Sequence, residues 1–129
     1  MSKIIYAAIP LWMRARSGEV WDFVERQGHF PLSSLATVPY GNVGDRPAEV
    51  LVRASDGLID LSDELWIFGI GDSTLREWVY AKDNGKPCRS LVKLFDYGWE
   101  ERAKRERFAG YPGVAEEVLG AGTLPISLG

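Results

Sequence analysis

The sequence predicts an α/β fold: one domain in which helices sandwich a parallel sheet of three to five strands. Two short apolar runs, Ile4-Ile5-Tyr6-Ala7-Ala8-Ile9 and Leu65-Trp66-Ile67-Phe68, carry no polar alternation. That pattern suits strands covered on both faces, as in parallel sheets. Segments with apolar residues at helical spacing lie between such runs, and strand–helix alternation is the signature of a parallel sheet. The chain has 129 residues, the size of a single domain.

The elements follow in order. Strand one, Ile4 to Ile9, ends at Pro10. Residues 14–27 place Val20, Trp21 and Val24 on one helical face, and Gly28 stands where a helix-ending glycine belongs. His29 to Leu32 reads as a short second strand. Residues 33–47, with Pro39, Gly41, Gly44 and Pro47, read as a long loop, a kind of segment that often serves function. Ala48 to Ala54 reads as a helix capped by Asp45 with Pro47 near its first position, and Leu58, Ile59 and Leu61 lead on to Asp63. Glu64 to Phe68 is the next strand. Residues 74–84 are a helix with Leu75, Trp78 and Val79 inward, closed by Gly85. Pro87 to Val92 is a further strand, and Glu100 to Phe108 a further helix. The glycine-rich tail from Gly110 carries a short helix at 114–119. The core therefore spans residues 4–92, with a C-terminal helix and tail at 98–129, all within one domain covering 1–129.

Composition narrows the function classes. The net charge is −3, and the densest basic run, Arg102 to Arg107, is interleaved with Glu100, Glu101 and Glu106. That is a solvated helix face rather than a nucleic-acid footprint, so no nucleic-acid polymer is expected as partner. The one cysteine, Cys88, and the one histidine, His29, leave no internal disulfide and no Cys- or His-based metal centre. No metal and no redox cofactor are expected. No apolar run approaches the ~20 residues of a membrane span. The N-terminal run makes a poor signal peptide, so a cytoplasmic protein without membrane contact is expected.

In such sheets the loops after each strand share one edge, and ligands bind there. Two of these loops stand out. Pro10-Leu11-Trp12 follows strand one; Trp12 is placed there to stack on a ring or to pack. Gly69-Ile70-Gly71-Asp72-Ser73-Thr74 follows the later strand. Gly71 permits close backbone approach, while Asp72, Ser73 and Thr74 either bind hydroxyls or make turns. Thr74 and Glu77 also match a capping box, with Thr74 as N-cap and Glu77 three residues on. Glu77 has a second possible role, since a glutamate carboxylate in a cleft can displace a leaving group at an anomeric carbon. Tyr6, mid-strand, needs a hydroxyl partner and can hold a carboxylate in place. Asp56, Asp60 and Asp63 offer second carboxylates for acid–base work.

Three segments resemble the nucleoside 2-deoxyribosyltransferase-like superfamily, whose related members include N-glycosidases. They are Ile5-Tyr6-Ala7-Ala8-Ile9-Pro10, the turn Gly28-His29-x-Pro31, and Asp72-Ser73-Thr74-x-x-Glu77-x-x-x-Ala81-x-x-x-Gly85-Lys86-Pro87. The resemblance covers residues 4–92 and implies a flavodoxin- or Rossmann-like fold. It implies Glu77 as nucleophile and Tyr6 as its positioner, with Pro10, Trp12, Asp56, Gly71, Asp72, Ser73 and Thr74 around the substrate. The activity implied is cleavage or exchange of the N-glycosidic bond of a nucleoside or nucleotide, without a cofactor, by a homo-oligomer. The chain departs from the family pattern at Ile9 and Val79, where the family has glycines. The segment before Thr74 is one residue short, and Ala54 or Ser55 falls where the family has a second catalytic aspartate. These departures define the alternative reading, a nucleotide-binding or sensing module without turnover.

Overall fold

The structure, a computed structural model, describes residues 2–34, 48–96, 98, 101, 111 and 113–121. Its centre is a four-stranded, all-parallel sheet: β1 (Ile4–Ala8), β2 (Phe30–Leu32), β3 (Glu64–Ile67) and β4 (Cys88–Ser90), in the order β2-β1-β3-β4. In register, Tyr6 lies opposite Leu32 on β2 and Leu65 on β3. The chain steps from β1 outward to β2, then crosses to β3 on the other flank of β1. The β1/β3 boundary is therefore the point where strand order reverses, the crevice where sheets of this kind receive ligands.

Helices cover both faces. Strand alternation sends Ile5, Ala7, Trp66 and Phe68 to one face, where Val20 and Val24 of α1 (Ser17–Arg26) pack on them. Tyr6, Ala8, Leu65 and Ile67 point to the other. There they meet Ile59 of α2 (Ala48–Leu61), Leu75, Trp78 and Ala81 of α3 (Asp72–Asp83), and Val118 of α5 (Val114–Gly120). A short helix, α4 (Val92–Phe95), follows β4. The strands expected at Glu64 and Pro87 are found, the latter shortened to three residues because the chain turns into α4.

Four local readings differ from expectation. The segment expected as a helix over 14–27 splits into a 3-10 helix, Leu11–Arg16, and α1; Gly28 then turns with φ +86° as the expected terminator. The helix expected to end at Ala54 continues to Leu61. Gly57 does not break it, because it is exposed with open space around it while Ser55 and Ile59, one turn apart, stay buried. Val79, expected to point inward beside Leu75 and Trp78, is only half-buried. Helix α3 begins at Asp72 with Gly71 as N-cap, three residues ahead of the expected cap Thr74. The proposed cap Asp45, Pro47, the helix at 100–108 and the end of the tail lie outside the described residues.

Candidate functional site

Two loops meet at the switch point. Pro10, at the end of β1, is buried against the glycines after β3. A Cβ on Gly69 would come within 2.7 Å of Pro10 Cγ and run into Met13 Sδ, and one on Gly71 would lie 3.3 Å from Pro10 Cβ. The glycine pair thus accepts Pro10, which ties the two loops together. Thr74 completes the turn. Its buried hydroxyl donates to the Gly69 carbonyl at 2.8 Å and accepts from the Gly71 N–H at 3.0 Å. Thr74, at the third helical position, is the residue that reaches back to the N-cap. Glu77 is not the capping residue.

Glu77 instead points onto the sheet. It is 4% exposed, and the Tyr6 hydroxyl donates a short hydrogen bond to its Oε2. Tyr6, itself 1% exposed, is also hydrogen-bonded with Ser34 Oγ at 3.2 Å. Ser55, buried on α2, sits beside both groups, and its hydroxyl favours the ionised form of each. These contacts thus join β1, the chain just past β2, α2 and α3 around one carboxylate. Beside it, Asp56 of α2 and Arg76 of α3 form a 2.9 Å ion pair.

The electrostatics follow from this arrangement. Burial pushes the Glu77 carboxyl up to about 7, against the opposing hydrogen bonds of Tyr6 and Ser55. Arg76 favours the ionised form and Asp56 disfavours it, so the neighbouring ion pair supplies little net relief. Among the described residues Glu77 makes no ion pair. Burial and then the Glu77 charge raise the Tyr6 phenol far above its ordinary value, so Tyr6 stays protonated and serves as a donor.

A second buried carboxylate shows the contrast. Glu64, at the start of β3, pairs with Lys3 at 2.6 Å and Arg89 at 3.6 Å and accepts from Trp66 Nε1 at 3.1 Å. Burial pushes it up, but the hydrogen bonds from Lys3 and Trp66 and the charges of Lys3 and Arg89 outweigh that and hold it below the usual range. Its demands are met at the opposite edge of the sheet from the two loops.

The other expected site residues fall as follows. Trp12 sits on the 3-10 helix after β1, 49% exposed, with its ring N–H directed at the Ile70 carbonyl 3.5 Å away. Asp72 and Ser73 are exposed on the first turn of α3. Of the three aspartates, only Asp56 adjoins Glu77. Asp60 accepts from Tyr80 at 2.9 Å, and Asp63 accepts from the Ile4 N–H at the strands' amino edge. Ile9 packs with Phe68, Met13 and Leu91 on the face away from Tyr6, so it does not fill the space beside Glu77. His29 accepts from the Lys3 N–H and meets Trp66 edge-on. Burial raises the Cys88 thiol to about 11, which leaves it protonated and unreactive.

Three residues of this neighbourhood escape the sequence reading. Ser34 follows β2 in a serine pair at the carboxyl edge, a weak signal. Ser55 interrupts the stripe Leu51, Ser55, Ile59 of α2, a polar position in an apolar row. Asp96, fully buried after α4, accepts from the Ile70 N–H at 3.2 Å and steadies the loop after β3; nothing in its sequence surroundings marks it. A groove of ≈ 710 Å³ opens elsewhere, between α1 and α4, lined by Phe23, Leu94 and Phe95 with Arg16, Asp22 and Arg26. It holds none of the candidate residues. Among the described residues no three His, Cys, Asp or Glu side chains group as metal ligands, and no helix is long and apolar enough to cross a membrane.

No family model matches this sequence, and no curated protein or solved structure matches it.

Proposed function

We propose that this chain cleaves or exchanges the N-glycosidic bond of a nucleoside or nucleotide, with Glu77 as the nucleophile. The observation that carries the reading is the buried Tyr6–Glu77 pair beneath the β1/β3 switch point, a carboxylate that makes no ion pair among the described residues. A purely structural carboxylate is ordinarily met as Glu64 is, by cations. Strongly perturbed groups of this kind concentrate at functional sites. The motif resemblance to deoxyribosyltransferases supplies the reaction class.

In the proposed reaction Tyr6 holds Oε2 and orients the carboxylate. The other oxygen attacks the anomeric carbon, the C–N bond breaks, and its electron pair leaves with the base. Water or a second base then takes the sugar from Glu77 and restores the carboxylate. Asp72 and Ser73, exposed on the first turn of α3, are the proposed contacts for sugar hydroxyls, and Trp12 the proposed stacking surface for the base. Thr74 and Gly71 contribute by shaping the turn that holds Asp72 and Ser73. Asp56 is the carboxylate placed to assist proton transfer at the leaving base.

The test is chromatographic detection of free base from a panel of nucleosides and their monophosphates. Glu77→Gln is expected to lower base release by roughly 10³-fold or more, as for loss of other covalent nucleophiles. Turnover of the same substrate by that variant at full rate removes the assignment. Because attack needs the ionised carboxylate, kcat/KM should rise with pH through a limb near 7.

One observation favours a second reading, a nucleotide-binding module without turnover: Glu77 is almost fully enclosed. Calorimetric binding without base release selects that reading. The homo-oligomer implied by the resemblance is likewise a proposal, read out by light scattering on the purified chain.

A further inference from the structure

We propose that Ser34 and Ser55 are positioning residues for Glu77, the ends of a hydroxyl chain in which Ser34 donates to Tyr6, Tyr6 donates to the carboxylate, and Ser55 donates to that same carboxylate. The proposal rests on the reading of Glu77 as nucleophile. Its structural basis is proton counting. A phenol has one proton, and the Tyr6 oxygen meets both Glu77 Oε2 and, at 3.2 Å, Ser34 Oγ. The charge-assisted bond to the carboxylate takes the proton, which leaves the phenol oxygen as acceptor and the Ser34 hydroxyl as donor.

The fold explains why the serine is there. Tyr6 is in register with Leu32 on the parallel strand β2. Ser34 lies two residues past the end of β2, where the chain leaves the strand at its carboxyl edge, and its Oγ comes to 3.2 Å from the Tyr6 oxygen. Ser55 arrives from α2, buried one turn before Ile59. A donor onto the phenol oxygen makes the phenol a stronger donor in turn, since hydrogen bonds in series polarise one another. The chain therefore favours the ionised, correctly turned carboxylate without an ion pair to it. A cation there would weaken the nucleophile that this site needs. The titratable and charged groups facing Glu77 are Tyr6 from β1, Asp56 from α2 and Arg76 from its own helix; Asp60 and Tyr80 are bonded to each other further along the α2–α3 pair.

The experiment compares wild type, Ser34→Ala, Ser34→Thr and Ser55→Ala. Urea unfolding across pH 5–9 reads the ionisation of Glu77 without any substrate, and the pH profile of kcat/KM for base release reads it in turnover. Ser34→Ala and Ser55→Ala are each expected to move both midpoints upward by about 0.5 pH unit, equivalent to about a threefold loss of kcat/KM on the acid limb, with little loss at pH 9. Ser34→Thr, which keeps the hydroxyl, should restore the wild-type profile. Unmoved midpoints in both alanine variants, or a threonine variant that behaves like Ser34→Ala, overturn the proposal. If the wild-type chain releases no base from any substrate, the glycosidic reading fails, while the unfolding midpoints still decide the hydroxyl chain.

Discussion

Replacing Glu77 by glutamine should stabilise this protein, and only on the alkaline side. The ordinary carboxyl value of 4.5 is raised to about 7 by burial. A folded state that holds its proton more tightly than the unfolded chain loses stability as pH rises between those two values. The wild type therefore has its full contribution below the ordinary value, loses it progressively up to about pH 7, and levels off above. The interval of roughly 2.5 pH units corresponds to a penalty of about 3 kcal/mol at pH 8. Glutamine keeps the shape, cannot ionise, and can still accept from Tyr6 and meet Ser55. It should recover about 1–3 kcal/mol at pH 8, or up to roughly 10 °C in Tm for a chain this long, and coincide with the wild type near pH 4.5. Urea unfolding at half-unit steps from pH 4.5 to 8.5 measures the difference. A constant offset between the two proteins across that range, or a Gln variant less stable at pH 8, would refute the argument that burial penalises this charge. The same variant is expected to lose base release, the usual opposition between stability and a prepared site.

Two further outcomes follow from the same geometry. Tyr6→Phe removes the donor to Glu77 and leaves an ionised carboxylate with one fewer bond. It should cost about 1.5–3 kcal/mol at pH 8.5 and markedly less at pH 5, read by urea unfolding at the two pH values. Gly69→Ala pushes a methyl into Pro10 and Met13 and should cost about 1–3 kcal/mol by overpacking, whereas Gly71→Ala, with its nearest contact at 3.3 Å, should cost less; thermal melts that reverse this order would show that Pro10 is not what requires the glycines.

Some of this architecture was legible in the residues. The apolar runs at Ile4 and Leu65 announce strands buried on both faces, because only cover on two sides allows every position to be apolar. The Gly28 and Gly85 terminators are readable since each needs positive φ. The start of α3 is not legible in the residues, because Thr74-x-x-Glu77 fits a capping box as sequence. The structure sets the frame three residues earlier, where Gly71 caps and Thr74 reaches back. The run of α2 past Ala54 takes in Gly57, but one exposed glycine costs only about 1 kcal/mol in a helix, less than the burial on either side of it supplies. Tyr6 and Glu77 each stand out in the sequence, yet their contact joins residues 71 apart in the chain. Ser34 and Ser55 join through tertiary placement alone. No local pattern encodes such meetings, which depend on β1 lying between β2 and β3.

The two buried glutamates make a paired prediction with opposite signs. Glu64 is held ionised by Lys3, Trp66 and Arg89, and its folded value lies below the usual one. Its stabilising contribution is therefore present at neutral pH and is lost as pH falls through that folded value. Glu64→Gln should destabilise at pH 7 and flatten the acid side of the stability profile. Lys3 and Arg89 are half-exposed, so screening holds the loss to about 1 kcal/mol. Glu77→Gln should do the reverse at pH 8. Both side chains are nearly enclosed, 5% and 4% exposed, but Glu64 lies at the sheet's edge against two half-exposed cations, whereas Glu77 is desolvated more deeply and makes no ion pair among the described residues. If both variants destabilise by similar amounts across the neutral range, Glu77 is a structural carboxylate like Glu64, and the case for its chemistry falls with that result.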